Sequence, residues 1–176
     1  MALHGSNILN VEATLNHWID TQLAALTKPS WLPAFSVVFD EPETAMPTPS
    51  VSVYHLGGAG RKRWQGNRAG GSSTGVAQFG LMEVSCWTSR GDEVGGQQVW
   101  AAQLRTLRAF LSEIFAGVSA LVVTDYLSDQ TGGTATTFLV RFGDMEYQST
   151  VPDPNPDIER ARYLIRYDWT LRGSNQ

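Results

Sequence analysis

The chain has 176 residues, 42% of them apolar, and a formal net charge of −4. That length suits a single domain, residues 1–176, with a core of real size, and the acidic balance argues against a protein built as a whole to bind nucleic acid. A single cysteine, Cys86, excludes a disulfide framework, and no run approaches the roughly 18 consecutive apolar residues of a membrane span.

Charged residues make up 17%, below the roughly 25% of ordinary soluble proteins. Six Trp, five Tyr and seven Phe accompany that depletion. Few charges with many aromatics is the composition of protein–protein interfaces, so an oligomer or assembly subunit is expected. The N-terminus, MALHGSNILN, has neither the basic nor the apolar region of a signal peptide.

The first predicted element is a helix over Val11–Leu26. Val11, Leu15, Trp18, Ile19, Leu23 and Leu26 recur at helical spacing. Asn10 is the candidate N-cap, with Glu12 in the first turn, and Lys28 and Pro29 close the helix. Ala34–Asp40 reads as a strand, ended by the EPET turn at Glu41–Thr44. A proline-broken connector leads to a second strand, Ser50–Leu56, and a hairpin or meander of these two is the simplest expectation.

Gly57–Gly75 follows, GGAGRKRWQGNRAGGSSTG. This arm holds Arg61, Lys62, Arg63 and Arg68 with Trp64 among them, and it has no acid. The rest of the chain therefore has nine bases against seventeen acids, a net −8. The sequence presents a long Gly-rich basic arm between two strands.

A long strand over Val76–Thr88 comes next. Phe79, Leu81, Glu83, Ser85 and Trp87 fall on one side, and Met82, Val84 and Cys86 on the other. Apolar residues on both sides suggest cover on both faces, by a helix and by a neighbour. Ser89–Gly96 reads as a turn-rich linker into the main helix, Gln97–Phe115, whose stripe is Trp100, Leu104, Leu107, Leu111, Ile114 and Phe115. Gly117 suits a left-handed C′ position. Ala120–Ser128 and Thr134–Phe142 flank SDQTGG, the strongest hairpin signal in the chain. After a loop stiffened by Pro152, Pro154 and Pro156, a last strand spans Ala161–Arg172. Tyr163, Ile165, Tyr167, Trp169 and Leu171 alternate there with Arg162, Arg166, Asp168, Thr170 and Arg172. The expected class is α+β, a mostly antiparallel or mixed sheet with two helices packed on it.

Catalytic and ligand-binding patterns fail on inspection. Gly66–Gly71 has phosphate-loop glycine spacing, but Ser72 stands where the lysine must be and a strand follows instead of a helix. Gly58 and Gly60 would need a third glycine where Arg63 stands to make a dinucleotide fingerprint. His4, His17 and His55 lie on three elements without metal-ligand spacing and read as surface or hydrogen-bonded histidines. Cys86, between Ser85 and Trp87 in a strand, reads as an inert buried thiol. Asp153, Asp157 and Glu159 among prolines read as a solvated loop. No enzyme, metal or cofactor is expected. The arm has three readings: a disordered hairpin tip without a role, a segment that docks on an acidic neighbour and orders on assembly, or a contact with a nucleic-acid backbone through Arg61, Lys62, Arg63 and Arg68; Trp64 suits the second and third equally.

The segment LMEVSCWTSRGDEVGGQQVWAAQLRTLRAFL, Leu81–Leu111, is a strand ending in Trp, a polar turn and an amphipathic helix. It resembles the central unit of tailed-phage tail terminator (tail-to-head joining) proteins. The N-terminal helix with two strands, and the closing strand YLIRYDWTLR at Tyr163–Arg172, resemble the ends of that family. The resemblance implies a structural virion protein forming a homo-oligomeric ring, typically a hexamer. Such a ring caps the tail tube and joins the tail to the head, with genomic DNA passing through its bore. Its implied partners are itself, the tail tube protein and a head–tail connector or neck protein. Its implied location is the virion, with assembly in the host cytoplasm and no membrane contact. The alternatives are a connector or neck subunit, a sequence-independent nucleic-acid-binding module and, last, a small hydrolase.

Overall fold

The computed structural model describes residues 8–39, 46–68, 71–126, 133–148 and 155–172, with the backbone alone at 57–68, 71–77, 137, 148 and 170–172. The expected EPET turn, most of the SDQTGG turn, His4, Pro152, Asp153 and Pro154 lie outside the described residues.

Helix α1 spans Ile8–Ala25 and helix α2 spans Trp100–Ala116. The strands are β1 (Ser36–Val38), β2 (Ser50–Arg68), β3 (Gly71–Ser89), β4 (Glu93–Val94), β5 (Gln97–Gln98), β6 (Ala120–Asp125), β7 (Thr134–Gln148) and β8 (Ile158–Arg172). Six of them form one sheet in the order β1-β2-β3-β8-β7-β6, and β4 and β5 form a separate ribbon. All neighbours in the sheet run antiparallel except β1 and β2. The class is therefore the α+β arrangement expected.

β8, the last strand in the chain, lies in the middle of the sheet. It pairs with β3 on one side and β7 on the other, joining the β2–β3 hairpin to the β6–β7 hairpin.

Strict alternation along β8 explains how the sheet is covered. Tyr163, Ile165, Tyr167 and Trp169 are buried. They share the helix-bearing face with Val51 and Val53 of β2 and with Met82, Val84 and Cys86 of β3. α1 contributes Val11, Leu15, Ile19 and Leu23 to that core, and α2 contributes Leu107, Leu111, Ile114 and Phe115. Trp18, Phe115 and Phe142 interlock where α1, α2 and β7 meet, with ring centroids 5.3–5.5 Å apart. Each such aromatic pair contributes about 1 kcal/mol beyond the area it buries.

Several local expectations are corrected. β1 and β2 do not form a hairpin. They run parallel, Ser36 opposite Ser50, a pairing that a tight two-strand turn cannot produce. α1 begins at Ile8, so Asn10 is a buried residue of its first turn and not its cap. α2 begins at Trp100. Gln97 and Gln98 instead close a tight ribbon on Gly95 and Gly96, whose φ values of 61° and 77° suit the turn that joins two twisted strands. The α2 stripe also includes Phe110 and Gln103, both buried. Gly117 ends α2 at φ −97°, so it does not use the left-handed conformation.

The largest correction concerns the arm. β2 and β3 do not stop at Leu56 and Val76. They stay paired from Ser50 opposite Trp87 out to Arg68 opposite Gly71, with register shifts on either side of Gly58. The excursion is a β-hairpin continuous with the sheet, and the register shifts increase its local twist.

Candidate functional site

The candidate residues of the arm all lie on β2. Arg61, Lys62, Arg63, Trp64 and Arg68 stand opposite Gln78, Ala77, Val76, Gly75 and Gly71 respectively. Among the described residues, β8 follows β3 as far as Gly75, opposite Arg172. Beyond that point the hairpin continues on its own pairing. On its other side β2 meets β1 only over Ser50–Ser52. From Val53 to Arg68 this side has no partner strand among the described residues.

The other end of the sheet is β6, and α1 covers part of its edge. Thr14 Oγ1 accepts from the Thr124 amide at 2.9 Å, and Asn10 Oδ1 accepts from the Tyr126 amide at 3.0 Å. Asn10 also donates to Asp125 Oδ1 at 2.9 Å. Two polar residues one helical turn apart thus satisfy main-chain groups that an edge strand would otherwise expose.

The sheet face without helices has a buried ionic cluster. Glu83 is 6% exposed. Its Oε1 pairs with Arg160 and accepts from Ser85 Oγ at 2.9 Å, and its Oε2 accepts from Arg162 Nη1 at 3.2 Å. Arg160 also donates from Nε to Ser85 Oγ and lies over the Trp87 ring, 4.4 Å from its centroid. Trp87 Nε1 donates to Ser52 Oγ at 2.8 Å. Small serines on β2 and β3 leave room for these long side chains to lie flat across the strands. Over Met82–Thr88 β3 is buried on both faces, and there its second cover is Arg160 and Arg162 of β8. Arg160 falls just outside the expected last strand, which is why this role is not legible in the sequence.

His55 joins three elements. Its Nε2 lies 2.8 Å from Asn16 Oδ1 on α1, and its Nδ1 lies 3.3 Å from Tyr167 Oη on β8. With Nε2–H donating to Asn16, Nδ1 is free to accept from the Tyr167 hydroxyl. Burial lowers the His55 pKa from 6.5 to about 4 and raises that of Tyr167, whose hydroxyl therefore stays protonated as the donor. His17 is on a separate part of α1, its ring 6.1 Å from that of Tyr126. Cys86 is fully buried and its pKa is pushed up to about 12 by burial.

Among the described residues, no group of three His, Cys, Asp or Glu side chains is placed to hold a metal ion. Among the same residues, no helix is long and apolar enough to cross a membrane.

No protein-family model matches the chain, and no curated protein matches it. Among solved structures, a protein with no functional name shares 13% identity, with a TM-score of 0.50 over 96% of this chain and 99% of that one. That likeness concerns the fold alone. A chain from the virion of a native gene transfer agent particle shares 12% identity, covering 89% of this chain and 95% of that one, at a TM-score of 0.37. At that score the second likeness carries no argument.

Proposed function

We propose that this chain is a structural virion protein and, more finely, a tail terminator. Copies assemble into a closed ring, typically six, that caps the tail tube and offers a docking face to the head side. The observation that carries the reading is the order of elements: a helix, two strands, the Leu81–Leu111 strand–turn–helix unit, a hairpin and a closing strand. That order is the one the sequence shares with the tail terminator family. Low charge, abundant aromatic residues and a sheet edge that is free from Val53 to Arg68 among the described residues support a chain that meets copies of itself. The reading assigns it no catalysis and no cofactor.

Native mass measurement with negative-stain imaging tests this. A closed ring of about six chains supports the reading, and a stable monomer at micromolar concentration overturns it.

The basic hairpin favours a second reading, sequence-independent association with a nucleic-acid backbone. Binding of duplex DNA should then fall steeply with salt. Arg61→Ala with Arg63→Ala should reduce the slope of log K against log salt by roughly 2, about one for each phosphate no longer neutralised. An unchanged slope removes the arm from that role.

A further inference from the structure

Where α2 meets the ends of β7 and β8, a positive charge stands without a counter-charge among the described residues. Tyr147 and Tyr163 lie opposite each other on β7 and β8, with ring centroids 5.0 Å apart. Tyr163 Oη donates to the main-chain carbonyl of Arg108 on α2 at 3.3 Å and lies 3.1 Å from Ser112 Oγ. Tyrosine has one proton to give, so the Ser112 hydroxyl is the donor in the second bond. These two bonds fix that turn of α2 over the strands. From it the Arg108 guanidinium stacks on the Tyr147 ring, its Cζ 4.1 Å from the centroid.

Two atoms of this cluster are shielded from solvent and have no hydrogen-bond partner, Arg108 Nε and Tyr147 Oη. Arginine has donors only and does not lose its proton in a protein. Its Nε–H therefore lacks an acceptor, and the Tyr147 O–H can give to the same one. Among the described residues, no carboxylate pairs with Arg108. Its titratable neighbours do not supply the missing charge. Burial pushes the Cys86 thiol up to about 12 against the pull of Arg108, and burial likewise raises the Tyr147 hydroxyl, so both stay neutral at pH 7. A desolvated charge with neither counter-charge nor acceptor is costly.

The surroundings set what can fill the gap. One fixed positive charge, partly out of water, is matched by one negative charge, whereas a doubly charged phosphate would bring an excess. An N–H and an O–H side by side suit the two oxygens of a planar anion. Beside Tyr147, β7 borders β8 alone among the described residues, because β6 pairs with β7 only as far as Arg141. That flank is open to approach, and no ion pair restrains the guanidinium from turning on the ring to admit a ligand.

We infer that Arg108 and Tyr147 form a seat for one carboxylate, with Nε–H and O–H as its donors. Tyr163 and Ser112 position the turn that bears Arg108. The carboxylate belongs to a free small acid or to an acidic side chain of another copy of this chain. The seat itself does not depend on the ring reading.

Sodium acetate against sodium chloride, at equal ionic strength and pH 7, tests the seat in the full chain, in Arg108→Gln and in Tyr147→Phe. A free acid predicts a saturable rise of the melting temperature in acetate over chloride. Arg108→Gln should lose that difference, and Tyr147→Phe should need roughly tenfold more acetate, the loss of one hydrogen bond to a charged group. A side chain from another copy predicts instead that both variants keep their circular dichroism and assemble at least roughly tenfold more weakly. Either result supports the seat, and the two identify its source.

Identical behaviour of the unmodified protein in the two salts, with normal assembly of both variants, overturns the inference and leaves the ring reading intact. An acetate effect that Arg108→Gln retains, again with normal assembly, also overturns it, because acetate then acts elsewhere. Weaker assembly of Arg108→Gln alone overturns it too, since the Tyr147 hydroxyl then takes no part. If Arg108→Gln does not fold, Tyr147→Phe carries the same comparisons. In chloride, as dilute single chains, Tyr147→Phe should be at least as stable as the unmodified protein, because the hydroxyl it loses has no partner there. A less stable variant means that this hydroxyl is bonded within the fold, and the seat falls. A monomer that shows the acetate effect keeps the seat and removes the ring.

Discussion

The ring of Tyr167 lies directly on Gly80. The two residues stand opposite each other on β8 and β3, and a Cβ at Gly80 would come within 2.7 Å of Tyr167 Cε2 and closer still to Cζ. Tyr167 is fully buried and stacks on Trp169, ring centroids 5.7 Å apart, so it has little freedom to move aside. Gly80→Ala should destabilise the fold by about 1–3 kcal/mol through overpacking, read as a lower urea midpoint. Adding Tyr167→Leu should cost less than the sum of the two single changes, because it empties the space the new methyl needs. Strict additivity would mean that the two sites are not in contact.

Glu83→Ala should be among the more damaging substitutions on the sheet face without helices. It removes the shared partner of Arg160 and Arg162, whose side chains are only 15% and 29% exposed. Removing one member of a buried ionic cluster destabilises by about 3–5 kcal/mol, whereas replacing the pair by apolar residues of similar volume is often near neutral. Glu83→Leu with Arg160→Met should therefore recover part of the loss, since Arg162 still loses the carboxylate. Chemical denaturation of the three proteins checks both statements.

His55 should make stability depend on pH below neutrality. Its folded-state pKa of about 4 is below the ordinary 6.5, so the unfolded chain takes up a proton first. The stabilisation is complete above about pH 6.5 and is lost as the pH falls toward 4, by at most about 3 kcal/mol. Burial acts on Glu12 in the opposite sense. It raises that pKa, so the stability Glu12 contributes fades as the pH rises. A comparison of the unmodified protein with His55→Phe isolates the histidine. The variant should be about 1–2 kcal/mol less stable at pH 7, since Asn16 and Tyr167 lose their partner, and its stability should change less between pH 6.5 and 4. Parallel curves would remove His55 from this role.

Cys86 should not react with Ellman's reagent while the protein is folded. Its thiol is fully buried and its pKa is about 12, so the attacking thiolate is both scarce and inaccessible. Labelling should appear in step with unfolding in urea. Rapid labelling of the folded protein would contradict the burial.

The sequence is most informative where burial imposes a short period. Tyr163, Ile165, Tyr167 and Trp169 alternate with polar residues because one face of β8 packs on helices, and both faces of β3 are readable for the same reason. It is least informative where backbone pairing alone decides. Glycines and bases in Gly57–Gly75 have low strand propensity, yet two adjacent strands already in register carry the pairing outward through them. The parallel partnership of β1 and β2 leaves no local mark, since the residues of a short strand do not record the direction of its neighbour. Of the site, Arg162 and Trp87 can be assigned a face in advance. Arg160, Asn10 and Thr14 cannot, because their roles come from elements far away in sequence.

The central place of β8 sets the order in which this fold can be completed. A nascent chain that has not yet emerged past Asp157 can form the β2–β3 hairpin and the β6–β7 hairpin, but nothing joins them. The buried tyrosines and Trp169 that fill the middle of the core are also absent at that stage. The pairing of β3 with β8 spans Ser89 to Ile158 at its nearest, so loop closure comes late and folding should be slow for a chain of this length. During synthesis two apolar half-sheets therefore wait for one strand, and that interval, more than the finished fold, is when the protein is most exposed to aggregation.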